Sequence, residues 1–241
     1  MGSFLSVAQL KNKAKDCLDG HYGILIGAAM AVNIISFFAL FLFAQFNLLS
    51  SNTLAAYLLS CAIRFLVSVF TGVFQVGITL LVLKCACGNK PAFSDIFYGF
   101  SHHLQTALGL SLLYQAVNLL PTLAYRVPYL CYLSTGKNKF LLIMCFSILL
   151  SLAVYIPVSL CLSQCLFLML DFPNKGAREI LALGIRIMKG RKARLFYLEL
   201  SFIPLILLGC LSVIGLLWVV PYMQMTMALF YLDIMKPEQK N

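Results

Sequence analysis

The C-terminal stretch "LSFIPLILLGCLSVIGLLWVVPYMQMTMALFYL", residues 200–232, contains no charged side chain over 33 residues. As one α-helix it would be about 50 Å long, well beyond the roughly 30 Å hydrocarbon core of a bilayer. Two shorter helices with a turn near residues 212–215 fit a membrane better. The stretch therefore predicts a fifth span over residues 195–211 and a sixth over 216–232. A single helix, giving five spans in all, is the alternative.

The composition of the whole chain is that of a membrane protein. Of 241 residues, 61% are hydrophobic and 11% are charged, and the mean hydropathy is +0.93. A water-soluble fold would lack the polar residues needed to cover its surface. Because lipid offers no hydrogen-bond partner to the backbone, apolar runs of this length predict spanning helices. Four more such runs lie at residues 23–43, 65–83, 104–123 and 140–170.

These runs predict a single integral membrane domain over residues 1–241, an all-α polytopic transmembrane bundle of six spans. The Lys and Arg residues indicate its orientation. Fourteen of the eighteen flank spans on one predicted side, including three in the segment 1–21 and seven in the segment 171–194, whereas three flank the other side. Cytoplasmic loops carry an excess of Lys and Arg. We therefore expect a multi-pass protein of the cell membrane with both termini in the cytoplasm.

Three short segments on the predicted cytoplasmic side resemble one another. The pentapeptides "DCLDG" (16–20), "DIFYG" (95–99) and "RIMKG" (186–190) each precede a span that runs outward. Around each, apolar residues recur at i, i+3 and i+4, which is typical of an amphipathic helix. We interpret the three segments, here called elbows, as interfacial helices with their apolar sides in the lipid headgroups. We expect them to end at Gly20, Gly99 and Gly190.

The elbows would group the six spans into three hairpins, although short amphipathic segments of this kind also arise independently. Their apolar positions are Ala14, Cys17 and Leu18, then Phe93, Ile96 and Phe97, and then Gly184, Ile187 and Met188.

Three blocks of the sequence carry a resemblance to a known family. They are "SFIPLILLGCLSVIGLLWVVPYMQMTMALFYLDI", "KPAFSDIFYGF" and "EILALGIRIMKGRK". The chain resembles, over most of its length, the bacterial membrane-protein family catalogued as domain of unknown function nine hundred and seventy-five. The resemblance implies a six-span bacterial membrane protein and no particular activity. Its most specific part is the spacing of Gly215, Trp218, Pro221, Tyr222, Ala228, Phe230 and Tyr231.

The residues Gly215, Trp218, Pro221 and Tyr222 form a candidate structural motif at the start of the sixth span. Gly215 would supply the turn, and Pro221 would fit the first turns of a helix, where its missing N–H costs little. The amphipathic rings of Trp218 and Tyr222 suit the outer headgroup region. The functional alternative is a kinked helix in which a freed carbonyl and Gln224 line a cavity.

Arg64, Glu199 and Gln224 are the candidate intramembrane polar residues. Charges within spans often mark substrate pathways, so each charged residue is a functional candidate. Both charges also have an interfacial interpretation. Arg64 precedes nineteen uncharged residues and could extend its guanidinium to the membrane surface. Glu199 follows a basic turn and could face solvent or that turn.

The basic segment before the fifth span contains candidate contacts for anionic lipid headgroups or for a protein partner. These contacts are Lys189, Arg191, Lys192 and Arg194. The alternative is that these residues only hold the basic segment at the membrane surface and bind no specific partner. The spacing of Cys85, Cys87, His102 and His103 is poor for zinc, so we expect no metal and no cofactor.

The sequence contains no phosphate-binding G-x-x-x-x-G-K-S/T, no H-E-x-x-H and no G-x-S-x-G motif. Its basic residues are not contiguous, so a nucleic-acid partner is not expected. We expect a non-enzymatic protein that acts through membrane lipids, other membrane proteins or self-association. The alternative is a small-molecule or peptide transporter with a polar cavity among proline-kinked helices. The prolines in question are Pro121, Pro157, Pro204 and Pro221.

Overall fold

The computed structural model of the chain describes residues 4–48, 54–212 and 215–236, which form helices and no strand. Residues 1–3 of the predicted N-terminal segment and most of the C-terminal tail lie outside this part. The helices are α1 (Val7–Leu18), α2 (Tyr22–Leu48), α3 (Leu54–Ala86), a 3₁₀ turn (Phe93–Phe97) that continues into α4 (Tyr98–Ser101), α5 (Leu104–Thr135), α6 (Lys139–Leu162), α7 (Cys165–Asp171), α8 (Ala177–Met188), α9 (Lys192–Leu200), α10 (Ile203–Leu211) and α11 (Leu216–Met235).

Six helical segments of the described chain are long and apolar enough to cross a membrane, which confirms the prediction of six. The uncharged run 200–232 is divided between two of them by a turn. The backbone N–H of Gly215 donates to the carbonyl of Ser212 at 2.7 Å and to its Oγ at 3.1 Å. The five-span alternative is therefore wrong. The six segments are Tyr22–Leu42, Ala62–Ala86, Leu104–Tyr132, Lys139–Asp171, Lys192–Leu211 and Leu216–Met235.

The helices differ from the predicted spans at several ends. Helix α3 begins at Leu54 rather than near residue 65, and α5 continues to Thr135 rather than ending near residue 123. Absence of charge marks only the part of a helix that suits hydrocarbon, whereas the helical hydrogen bonds continue through Arg64 and Arg126. Charge-free runs thus locate spans better than they locate helix ends.

Two of the spans are broken helices. The fourth is interrupted at Ser163 and Gln164, between α6 and α7, and not at Pro157, which lies within α6. The fifth is interrupted at Ser201 and Phe202, between α9 and α10, and Pro204 follows in the first turn of α10. A proline there lacks only an N–H that a helix start leaves unpaired anyway.

The three elbows are α1, the 3₁₀ turn with α4, and α8, and each precedes one helical hairpin. The hairpins are α2–α3, α5–α6/α7 and α9/α10–α11. Each later elbow packs on the returning helix of the preceding hairpin: α4 and the 3₁₀ turn on α3, and α8 on α6 and α7. The N-terminal elbow α1 packs on α11, the last returning helix, so the three hairpins form a closed ring.

Each elbow and the hairpin after it form one unit, and the buried positions of the first unit recur in the third. With a constant spacing of 170 residues, Leu10, Ala14, Leu18, Leu25 and Ala28 correspond to Ile180, Gly184, Met188, Leu195 and Leu198, and all ten are buried. The helices after these two elbows begin at Tyr22 and Lys192, with the same spacing. The middle unit shares the arrangement but has a shorter elbow. The grouping into three hairpins is therefore present in the structure.

Two details of the elbow interpretation are wrong. The apolar sides of α1 and α8 do not lie in headgroups, because side chains such as Leu10, Leu18 and Ile180 are completely covered by protein, whereas Phe93 and Phe97 of the middle elbow are exposed. Periodicity shows that a helix has an apolar side but not what covers it. In addition, Gly99 does not end the middle elbow: it is buried within α4, and the left-handed residue that precedes α5 is His103, with φ 57°. Gly20 and Gly190 do adopt positive φ, as expected for turns.

Candidate functional site

Between the spans lies a partly open cavity of about 550 Å³, within the range of small-molecule sites in proteins. It is bounded by α2, α3, α5, α9 and α11 and by the interrupted span α6/α7. Its wall combines apolar side chains with a set of polar ones. The polar side chains are Ser36, Thr71, Gln75, Thr79, Ser111, Tyr114, Gln115, Ser163, Glu199 and Gln224.

The cavity brings together two of the three intramembrane polar candidates, Glu199 on α9 and Gln224 on α11. Among the described residues that line the cavity, Glu199 is the only charged one. Its carboxylate forms none of the ion pairs found in the described chain. The neighbouring basic turn is therefore not its partner, since Arg194 pairs with Asp233 instead.

Most hydroxyl groups of the wall bond to their own helices, as is common in membrane spans. Thr79 Oγ1 donates to the carbonyl of Gln75 at 2.7 Å, and Ser163 Oγ donates to that of Leu160 at 2.9 Å. Ser111 differs, because it is 5% exposed and its Oγ has no partner among the described residues. Buried polar groups are normally paired, so this hydroxyl has unused hydrogen-bonding capacity.

The polar residues that α3 and α5 contribute to the wall are not among the candidates predicted from the sequence. Thr71, Gln75 and Thr79 follow one another at intervals of four residues along α3, and Ser111 and Gln115 do the same on α5. Residues four apart lie on one side of a helix, so polar residues at this interval within an apolar span indicate a polar lining. This signal was present in the sequence and could have added these residues to the candidates.

Arg64 is not part of the cavity. It lies within α3, its side chain is exposed, and it is absent from the lining. Its backbone carbonyl accepts a hydrogen bond from Ser68 Oγ at 2.8 Å, so the helix continues normally past it. A surface position for its guanidinium stays a prediction.

The motif at the start of α11 is partly corrected. Tyr222 is 8% exposed, its hydroxyl donates to the carbonyl of Lys11 at 3.3 Å, and its ring meets that of Phe202 edge to face. It therefore does not lie at the outer headgroups, because α1 covers it. Pro221 lies inside α11, beyond the first turn, so its missing N–H does remove a helical hydrogen bond. Trp218 is half exposed, and its anchoring role stays a prediction.

Lys11 connects the N-terminal elbow to the break in the fifth span. Its Nζ donates to the carbonyl of Ser201 at 2.8 Å and lies 4.1 Å from the centre of the Phe202 ring. A cation at the C-terminal end of α9 is favoured by the helix dipole. Burial lowers the pKa of Lys11 below the usual lysine value, and the nearby Lys15 ammonium adds to the shift.

Two of the four basic residues before the fifth span are engaged within the protein. Arg194 pairs with Asp233 Oδ2 at 2.5 Å and donates to the carbonyl of Leu5 at 2.7 Å. The Leu5 N–H donates to the same carboxylate at 3.2 Å. We call this set of three residues the terminal clasp, because it joins the two ends of the described chain.

Arg191 lies over the Phe4 ring at 5.3 Å and donates to the Ile187 carbonyl at 3.3 Å. Of the candidate lipid contacts, Lys189 is exposed and Lys192 partly so, and binding of headgroups by these two stays a prediction.

The segments predicted to be cytoplasmic gather at one end of the bundle. The terminal clasp joins the N-terminal segment to the ends of α9 and α11, Tyr231 donates to Asp171, and Lys84 pairs with Asp95 at 2.7 Å. Within the described ranges, no three His, Cys, Asp or Glu side chains are grouped so that they could hold a metal ion.

Comparison with known proteins adds a family and no activity. No curated protein matches the chain, and no solved structure does. The model of one family, described as "Protein of unknown function (DUF975)", matches residues 5–238, and this range includes all six spans and every side chain of the cavity wall. The chain therefore belongs to the DUF975 family of proteins of unknown function.

Proposed function

We propose that this protein binds a small molecule in the cavity between its spans and carries it across the membrane. The observation that supports the proposal is the cavity itself, about 550 Å³ in volume and lined by polar side chains, of which the amides of Gln75 and Gln224 form no hydrogen bond with the described residues. Unpaired polar groups among apolar helices are energetically unfavourable unless a ligand or water forms hydrogen bonds with them.

The breaks in two spans support carriage rather than simple binding. Substrate sites of membrane carriers are commonly formed by discontinuous helices at the interface between structural repeats. Here Ser163 in the α6/α7 break and Cys165 directly after it line the cavity, and Glu199 lies one residue before the end of α9. The three hairpins surround the cavity, so a small rotation of one hairpin against the others could open it to either side.

Contacts with lipids are compatible with carriage, which requires no covalent chemistry. Lys189, which is exposed, and Lys192, which is partly exposed, would still bind anionic headgroups at the membrane surface. Such contacts alone would not explain a polar cavity, so we favour the carrier over a protein that acts only through lipid or protein contacts.

Access to the cavity from both sides of the membrane is the expected property of a carrier. In a variant whose nine native cysteines are replaced by serine, a Cys introduced at Gln224 should react with an impermeant, water-soluble thiol reagent. It should do so in both right-side-out and inside-out vesicles. A Cys at Phe70, an exposed apolar residue on α3, is the matched control and should remain unlabelled in hydrocarbon. Labelling of Gln224→Cys from one side only, or from neither, would rule out carriage.

We further propose that the protein resides in the cell membrane with both termini in the cytoplasm, since fourteen basic residues flank the spans on one side and three on the other. A Cys at Asn89, in the exposed loop after α3, should then react only from the inside of intact vesicles. A Cys at Lys137, between α5 and α6, should react only from the outside. The reverse pattern would invert the orientation, and labelling of both from one side would contradict the hairpin topology.

A further inference from the structure

We infer that the cavity selects an organic monocation, with Glu199 as its counter-ion. This inference rests on the proposed carrier function and specifies the chemical class of the cargo. It follows from the charges around the cavity, from the polar groups left free in its wall and from the apolar surface beside them.

The carboxylate of Glu199 makes the site negative, and no described residue of the wall balances this charge. Glu199 is the only charged residue in the described wall, and no ion pair in the described ranges includes it. Two cations close to Glu199 in the fold have other partners: Arg194, five residues before it, binds Asp233, and Lys11 donates to the carbonyl of Ser201, two residues after it. An unpaired carboxylate among apolar helices is unfavourable, so a cation that enters the cavity removes that cost. An anion would be repelled by Glu199 and would find no positive side chain in the described wall.

The free polar groups of the wall lie on helices other than that of Glu199. Gln75 on α3 and Gln224 on α11 line the cavity, and their side-chain amides form no hydrogen bond with the described residues. The amide oxygens of the two glutamines can accept hydrogen bonds from an ammonium group. Towards a cation that has no N–H, the amides can point the negative ends of their dipoles. The cation would therefore be surrounded by acceptors from several helices.

The apolar part of the wall suits the body of an organic cation rather than a hydrated metal ion. Tyr114 and Phe167 present aromatic rings, which attract cations through their faces. Phe167 stacks on Tyr231 at 5.2 Å between ring centres, which fixes its orientation. Met223 and Met227 add flexible thioethers that can adapt to ligands of different shape. The arrangement favours a compact monocation with a broad apolar surface.

A pair of probes with the same shape and opposite charge tests the inference. Purified protein in lipid nanodiscs should bind radiolabelled tetraphenylphosphonium by equilibrium dialysis, after subtraction of empty nanodiscs. It should not bind tetraphenylborate, which differs mainly in the sign of its charge. Glu199→Gln should weaken tetraphenylphosphonium binding by about tenfold or more, because it removes the charge and keeps the size of the side chain. Glu199→Asp should retain most of the binding.

The control is Glu179→Gln, the same substitution at an exposed position on α8 away from the cavity, and it should bind like the unmodified protein. Equal thermal stability of the two Gln variants would show that both are folded. Binding of both probes alike, binding of neither, or full binding by Glu199→Gln would overturn the charge selection. The carrier function fails separately, if Gln224→Cys is not labelled from both sides.

Discussion

Replacing Gly77 by Ala is expected to destabilise the protein by more than about 3 kcal/mol, at the upper end of what overpacking causes. A Cβ added at Gly77 would lie 2.1 Å from the carbonyl oxygen of Ile96 and 2.5 Å from its carbonyl carbon. Both are backbone atoms of the middle elbow, so no change of rotamer can relieve the clash. The elbow would have to move away from α3, and the packing of buried Ile96 would be lost.

The measurement is the thermal unfolding temperature of the detergent-purified protein. The control is Gly23→Ala in α2, where a Cβ would have no neighbour within 4 Å. Because Ala favours helix over Gly by up to about 1 kcal/mol, this control should be neutral or slightly stabilising. If the two variants unfold at the same temperature, the elbow does not pack against α3 as described here.

Close backbone approach is a common feature of the elbow contacts. Gly99 in α4 would place a Cβ 2.6 Å from the carbonyl oxygen of Val73, and Gly184 in α8 would place one 2.7 Å from Cys165 Sγ. In α1 the position that corresponds to Gly184 is Ala14, which is fully buried. Small residues allow each elbow to reach the returning helix beneath it, as they do where membrane helices pack closely.

Replacing Asp233 by Ala should have the second large effect, a loss of about 3–5 kcal/mol. The Asp233 side chain is 4% exposed and neutralises Arg194, whose side chain is 22% exposed. Without the carboxylate, a largely buried guanidinium and the Leu5 N–H would both lose their acceptor. Unfolding temperature and protease sensitivity of the N-terminal elbow should change together, because the terminal clasp holds α1 on α11.

Two further variants make this prediction specific. Lys236 lies 3.9 Å from Asp233 Oδ1 but is 62% exposed, so Lys236→Gln should change stability by about 0.5 kcal/mol or less. The double variant Arg194→Met with Asp233→Leu should recover much of the stability lost in Asp233→Ala, because it buries neither charge. A double variant as unstable as Asp233→Ala would mean that the loss comes from packing rather than from an unpaired charge.

Only part of the cavity wall could be predicted from the sequence. Glu199 and Gln224 were candidates because polar residues in spans are costly, and the structure places both in one cavity. Gln75 and Ser111 have the same character, yet their importance depends on which side of α3 and α5 faces inward. That side follows from how the helices pack, since every side of a membrane helix can be apolar.

The sequence by itself determined the number of spans and the division of the uncharged run into two helices, because the thickness of a bilayer limits the length of an uncharged helix. It also determined that three elbows have an apolar side, because the period of a helix is visible in the order of residues. Only the tertiary structure decided what those sides contact. Leu5 and Asp233 meet across 228 positions of the chain, and Tyr222 is covered by α1 rather than by lipid headgroups. Such contacts depend on the ring closed by α1 and α11, and local sequence patterns contain no information about partners so far apart.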